Sequence, residues 1–152
     1  PEDSHRTLPV LHKSLHLMMS QDLLPFRIYV EGGMSGIMVG HIAVPAVDPD
    51  IQPAAVSAAV ITDLLRNDMK FQGLILTDAL NMGGAEGAPA WKAVAAGADL
   101  VLAPSDTDAA RRDILAAIER GDLTQADVDG HCRRIFYYIY KLRHPRRTNP
   151  PR

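Results

Sequence analysis

A single cysteine among 152 residues excludes a disulfide framework and a Cys-rich metal site. Cys132, in a helical stretch, is expected to be a small buried hydrophobe. Charge of one sign is not in excess: the formal net charge is -2, which gives no basic balance for nucleic acid. No apolar run approaches the roughly 20 residues that span a bilayer, so no membrane partner is expected. The first residues lack the charged-then-apolar pattern of a secretion signal. The chain starts at Pro1 rather than Met, so a preceding segment, with any signal on it, is expected to be missing. The compartment is not legible. What is present, 47% hydrophobic and 22% charged residues, makes one globular domain or part of a larger one.

The organising stretch is Gly73-Leu74-Ile75-Leu76-Thr77-Asp78-Ala79-Leu80-Asn81-Met82. Leu74 to Thr77 are apolar or β-branched and predict a strand buried on both faces of a parallel sheet. The run ends in a carboxylate. In parallel α/β barrels the C-terminal ends of strands carry the chemistry, so Asp78 is a candidate nucleophile. The competing reading is a helix cap or a loop hydrogen bond. A second candidate lies at the start. Asp3-Ser4-His5 sets a carboxylate two residues from an imidazole, and side chains at i and i+2 of an extended segment point the same way. A neighbouring carboxylate favours the imidazolium form, a proton donor suited to near-neutral pH. The competing reading is a solvated loop.

The rest reads as alternating elements. Residues 10–31 predict two helical pieces: one carries Val10, Leu11, Leu15, Met18 and Met19, the other is capped by Asp22 and closed by Gly32-Gly33. His12 and His16 fall at i, i+4 but lack a third ligand, and are expected to be surface histidines. Residues 36–44 predict a strand, with His41 near its end as either a pocket residue or a core histidine. Pro45, Pro49 and Pro53 order the loop that follows, in which Asp48 and Asp50 are hydrogen-bonders or pocket groups. Ser57 caps a helix over 57–70, and 73–78 is the central strand. Residues 90–96 are a short helix with Trp91, which either packs internally or stacks on a sugar. A strand over 98–104, a helix over 106–121 and a last helix capped by Thr124 and Asp127 complete the series. The Arg/Pro-rich tail, 143–152, is expected to be a disordered basic extension.

Strands alternating with helices predict a parallel α/β architecture. Three strands cannot close a barrel of eight and would leave apolar edges. The missing part is therefore expected from the intact parent chain or from a second chain.

Several of these pieces occur together in one family. Asp3-Ser4-His5, Asp22-Leu23-Leu24-Pro25-Phe26, Gly36-Ile37-Met38-Val39-Gly40-His41, Leu64-Leu65-Arg66, Phe71 to Met82 and Ala96-Gly97-Ala98-Asp99-Leu100-Val101-Leu102 stand in its order and near its spacing. Over residues 1–142 the chain resembles the C-terminal half of the catalytic barrel of glycoside hydrolase family 3, in its β-N-acetylhexosaminidase branch. The resemblance implies a TIM (β/α)8 fold, here only its last strands and helices. It implies Asp78 as nucleophile, His5 as general acid/base and Asp3 as its partner, with His41 and Met82 as substrate-binding positions. It further implies removal of terminal β-linked N-acetylglucosamine from glycan, muropeptide or chitin fragments, as in peptidoglycan recycling, with no metal or organic cofactor, in the cytoplasm or periplasm. The family's Lys-His-Phe-Pro-Gly-His-Gly segment is absent here, and the loop after Met82 is short. An inactive fragment or partner subunit that binds carbohydrate or another chain is the alternative. Phosphorolysis in place of hydrolysis is a third reading, because a His acid/base does not repel phosphate.

Overall fold

The computed structural model describes residues 3–144. Three parallel strands, β1 (Gly36–Val39), β2 (Leu74–Ala79) and β3 (Leu100–Leu102), lie side by side in chain order. Ahead of them stand α1 (Leu15–Leu17), extended by a helical turn over Met18–Asp22, and α2 (Leu24–Glu31). A helical segment with wide turns, α3 (Ala59–Asp68), joins β1 to β2, and α4 (Ala90–Ala96) joins β2 to β3. The chain then runs through α5 (Thr107–Arg120) and α6 (Gln125–Arg143). The α/β pattern is as expected. A closed barrel is not present among the described residues.

Leu74 to Thr77 are not buried on both faces. Ile75 and Thr77 are fully covered, whereas Leu74, Leu76 and Asp78 are only partly so. In register with β2, Ile37 and Val39 are buried and Met38 is 52% exposed. Alternate residues face opposite sides of a sheet. One side therefore holds the core, where Ile37, Val39 and Ile75 pack with Ile61, Leu65, Phe71, Ala93 and Ala96. Leu76, Met38 and Asp78 share the other, uncovered side.

Local chemistry explains most boundaries. Asp106 accepts from the Ala109 amide at 3.0 Å and caps α5, and Gly121 closes it at φ 83°. Thr124 and Asp127 form a reciprocal capping box at the start of α6. Other expectations fail. Val10 and Leu11 are not helical: Val10 bridges Ala43 in parallel, and the Leu11 amide donates to the Ala43 carbonyl at 2.9 Å. The β-branched Val10 suits that extended pairing. His12 lies ahead of α1 and so is not on one helix with His16, but both are exposed, as expected of surface histidines. Asp22 caps nothing, because its carboxylate is held by Lys13 at 2.8 Å. Cys132 is exposed, on the solvent side of α6. The expected tail lies, from residue 145, outside the described residues.

One buried carboxylate ties the layers together. The Asp99 side chain is 0% exposed. Its Oδ2 accepts from Arg66 Nη2 at 2.6 Å and from the Ile75 amide at 2.9 Å. Its Oδ1 faces His131 Nδ1 at 2.9 Å and Arg134 Nε at 2.7 Å. Burial pushes this carboxyl up, but the bonds from His131, the Ile75 amide and Arg134, with the Arg66 charge, outweigh it and hold its pKa below the ordinary value. Removing one partner of a buried charge set costs about 3–5 kcal/mol. Asp99→Ala is expected to lower unfolding free energy by that order in urea titrations at pH 7; a loss under about 1 kcal/mol would contradict the assignment. The folded pKa is depressed, so the contribution is complete above the unfolded value of about 3.9 and disappears as pH falls through the lower folded value. The gap between wild type and variant should narrow only in that acid range.

Candidate functional site

The C-terminal end of β2 is irregular. Leu76 pairs with Leu100 and Ala79 with Leu102, so three steps on β2 match two on β3. The extra residue falls at Thr77–Asp78. The Thr77 hydroxyl stands in for a ladder carbonyl and accepts from the Leu102 amide at 3.0 Å. Such a bulge re-aims a side chain and interrupts pairing. Asp78, partly exposed, sits in it with Oδ1 accepting from the Ala79 amide at 2.8 Å. It caps no helix.

Beyond Asp78 the chain is held from below. The Ala79 carbonyl accepts from the Met82 amide at 3.1 Å and from His41 Nε2 at 3.0 Å. With a carbonyl opposite, Nε2 is the protonated ring nitrogen. His41 is 1% exposed, and its Nδ1 has no partner among the described residues. His41, read from the sequence as either a pocket residue or a core histidine, is buried under the strand end. Met82 is partly buried and begins the turn over Gly83–Ala85.

That turn meets the first loop. The Gly83 amide donates to the His5 carbonyl at 3.1 Å and the Gly84 amide to the Ser4 carbonyl at 2.9 Å. The loop is also closed on itself, because the Arg6 and Thr7 amides donate to the Asp3 carbonyl at 2.9 and 3.1 Å. Asp3 Oδ1 accepts from the His5 amide at 3.0 Å and faces His5 Nδ1 at 2.9 Å. Asp3 and His5 are thus paired, though in a turn rather than the extended segment expected, at the surface, with side chains 58% and 76% exposed. The bond from the His5 amide, then that from its ring, hold the Asp3 carboxyl below its ordinary pKa. Beside the loop lies a cleft of about 480 Å³, lined among others by Arg6, Gln52, Glu86 and Lys92.

The remaining candidates are structural. Asp48 is buried and accepts from Ser57 Oγ at 2.5 Å, Gln52 Nε2 at 2.7 Å and the Asp50 amide at 3.0 Å. It orders the proline-rich loop. Trp91 packs on α5 with the Arg120 guanidinium 5.6 Å above its ring, so no sugar face is free on that side. Among the described residues no cluster of three or more His, Cys, Asp or Glu could hold a metal ion, and no helix is long and apolar enough to cross a membrane. The bulge and the Gly83-Gly84 contacts had no place in the sequence reading. The Gly-Gly pair after a carboxylate-terminated strand was their only visible trace.

Residues 1–137 match the model described as the glycosyl hydrolase family 3 N terminal domain. The chain belongs to glycosyl hydrolase family 3. The match is to the family's N-terminal domain, which corrects the assignment of this chain to the C-terminal half of a barrel. A beta-hexosaminidase of Chromobacterium violaceum is 40% identical over 115 residues, covering 70% of this chain and 32% of that protein. The chain spans about a third or less of the curated relatives it matches. A family 3 beta-N-acetylglucosaminidase from Paenibacillus sp. str. FPU-7 superposes with TM-score 0.86 at 33% identity, over 93% of this chain and 28% of that one. The beta-glucoside phosphorylase BglX superposes with TM-score 0.87 at 26% identity, over 97% of this chain and 29% of the other.

The Asp3–His5 contact has a direct test. The His5 amide donates to the ionised Asp3 carboxylate. Its NMR shift should therefore titrate with a midpoint below 3.8, the loop bond being intact above that midpoint and lost as pH falls through it. A midpoint at or above 3.8 would contradict the contact.

Proposed function

We propose that this chain carries the reacting residues of a retaining β-N-acetylhexosaminidase that removes terminal β-linked N-acetylglucosamine, with Asp78 as nucleophile, His5 as general acid/base and Asp3 as its partner. The observation that carries the reading is the Asp3–His5 pair on a loop hydrogen-bonded to the turn that follows Asp78. Family membership and relatives named beta-hexosaminidase and beta-N-acetylglucosaminidase support the substrate class. The three-stranded sheet is read as part of an eight-stranded barrel of the intact protein: β1 has a largely open edge, and Met38 and Leu76 lie with Asp78 on the uncovered side, where a barrel interior would be.

The chemistry follows two steps. An Asp78 oxygen attacks the anomeric carbon. The glycosidic bond breaks, its electron pair stays on the leaving oxygen, and that oxygen takes the proton of His5 Nε2. The sugar is then esterified to Asp78. In the second step neutral His5 Nε2 accepts a proton from water as the water oxygen attacks the same carbon and Asp78 departs. Two inversions give retention. Asp3 holds Nδ1, fixing which ring nitrogen faces the sugar and stabilising each imidazolium. Positioning of the sugar supplies much of such rate enhancements, which makes the intact barrel the setting for full turnover.

A second reading shares the first step. The likeness to BglX, named a beta-glucoside phosphorylase, favours phosphate as an acceptor in the second step. Retained rate without phosphate and a hemiacetal product support hydrolysis; a phosphate-dependent rate with a sugar 1-phosphate supports phosphorolysis.

The deciding assay is release of a chromophore from an aryl β-N-acetylglucosaminide. Asp78→Ala should abolish it, a loss of at least about 10³-fold, and His5→Ala should cost about 10²–10⁴-fold on poor leaving groups. Turnover that survives Asp78→Ala would overturn the assignment. No release by the wild-type chain, with sugar binding retained, would favour the binding-only alternative.

A further inference from the structure

The contact between the first loop and the turn after β2 is a close approach of two backbones, and only glycine permits it. A Cβ on Gly84 would stand 2.8 Å from the Ser4 carbonyl oxygen, 3.0 Å from that of Thr7 and 3.1 Å from His41 Cβ. A Cβ on Gly83 would stand 2.6 Å from the Arg6 carbonyl carbon and 2.9 Å from its Cα. Every separation under 3.0 Å, at both glycines, requires something to move. Beneath the turn, His41 is buried and fixed by its bond to the Ala79 carbonyl. The loop at residues 3–7 is the exposed side. It is the part that would yield.

We infer that Gly83 and Gly84 are positioning residues: they clasp the Asp3–His5 loop by two backbone hydrogen bonds and so hold the His5 imidazole in a fixed relation to Asp78. The path is short and continuous. Asp78 is bonded to Ala79, whose carbonyl is held by His41 Nε2 and the Met82 amide, and the next two residues donate to the Ser4 and His5 carbonyls. The acid/base is therefore anchored through its own backbone to the segment that carries the nucleophile. Loss of a clasp bond leaves both side chains intact and changes only where one stands relative to the other. General acid assistance depends steeply on such placement. This inference rests on the reading of His5 and Asp78 given above for its catalytic consequence, but not for the clasp itself.

Two measurements keep those apart. Hydrogen exchange in the chain should show the Gly83 and Gly84 amides protected, and Gly84→Ala should speed exchange at Gly83 and at the Arg6 and Thr7 amides by about tenfold, the effect of losing roughly one hydrogen bond. Gly83→Ala should do the same at Gly84. Gly130→Ala, in open surroundings on α6, should leave this exchange unchanged and serves as the control for folding. In the turning-over enzyme, Gly84→Ala should cut kcat about 10²-fold on an alkyl N-acetylglucosaminide, which needs a proton donor. On a dinitrophenyl glycoside, which does not, kcat should fall less than about threefold. Unchanged exchange in both glycine variants overturns the clasp, whatever the activity. Faster exchange with equal loss on both substrates overturns the positioning role. Activity that persists in Asp78→Ala would overturn the function reading alone.

Discussion

The structure depends on the need to satisfy one buried negative charge. The Asp99 side chain is fully buried, and a carboxylate in that state must be matched by donors on every side. The match draws Arg66 from α3, the Ile75 amide from β2, and His131 and Arg134 from α6 to a single point. Arg66 extends it by donating to the Phe71 and Gly73 carbonyls, which sets where β2 begins. An apolar residue at this place would fill the volume but would hold no element in register. The charge set fixes β2 from its first residues.

A strand anchored at its start can carry irregularity at its end. Ile75 is clamped between the Asp99 carboxylate and the core, whereas three residues later the ladder to β3 slips and Thr77 bonds the Leu102 amide through its side chain. The bulge turns the strand out of ideal pairing at Asp78, and His41 supports the carbonyl just beyond it. Order at one end and distortion at the other are complementary, since a bulge in a loosely held strand would let register slide. The uncovered face that Asp78 shares with Leu76 and Met38 completes the picture of a sheet with one finished side and one open side.

How much of this was legible follows from the range of each interaction. The three strands and the capping box of Thr124 and Asp127 arise within a few residues of chain, and the sequence displays them; it also displays the pairing of Asp3 with His5, although a turn and not an extended segment brings them together. Val10 was misread because its apolar spacing fits a helix and only its partner, Ala43, decides otherwise. Asp22 and Cys132 were misread for the same reason: Lys13 competes for the first, and the exposed side of α6 takes the second. The Asp99 network joins residues 24 to 35 positions apart, beyond the reach of any local pattern. His41 is the instructive case. Its place near a strand end was read correctly, but whether it faces a ligand or the core is decided by Ala79 and Gly84, which approach it only in the fold.

The central claim is that Asp78 becomes esterified to the sugar. The measurement that addresses it most directly is mass spectrometry of the protein after exposure to an activated 5-fluoro-N-acetylglucosaminyl donor, which forms the ester quickly and loses it slowly. The account predicts one added glycosyl unit, located on the peptide containing Asp78 and absent from Asp78→Ala. A label on another carboxylate, or turnover of the donor with no label in a protein that hydrolyses aryl N-acetylglucosaminides, would contradict it.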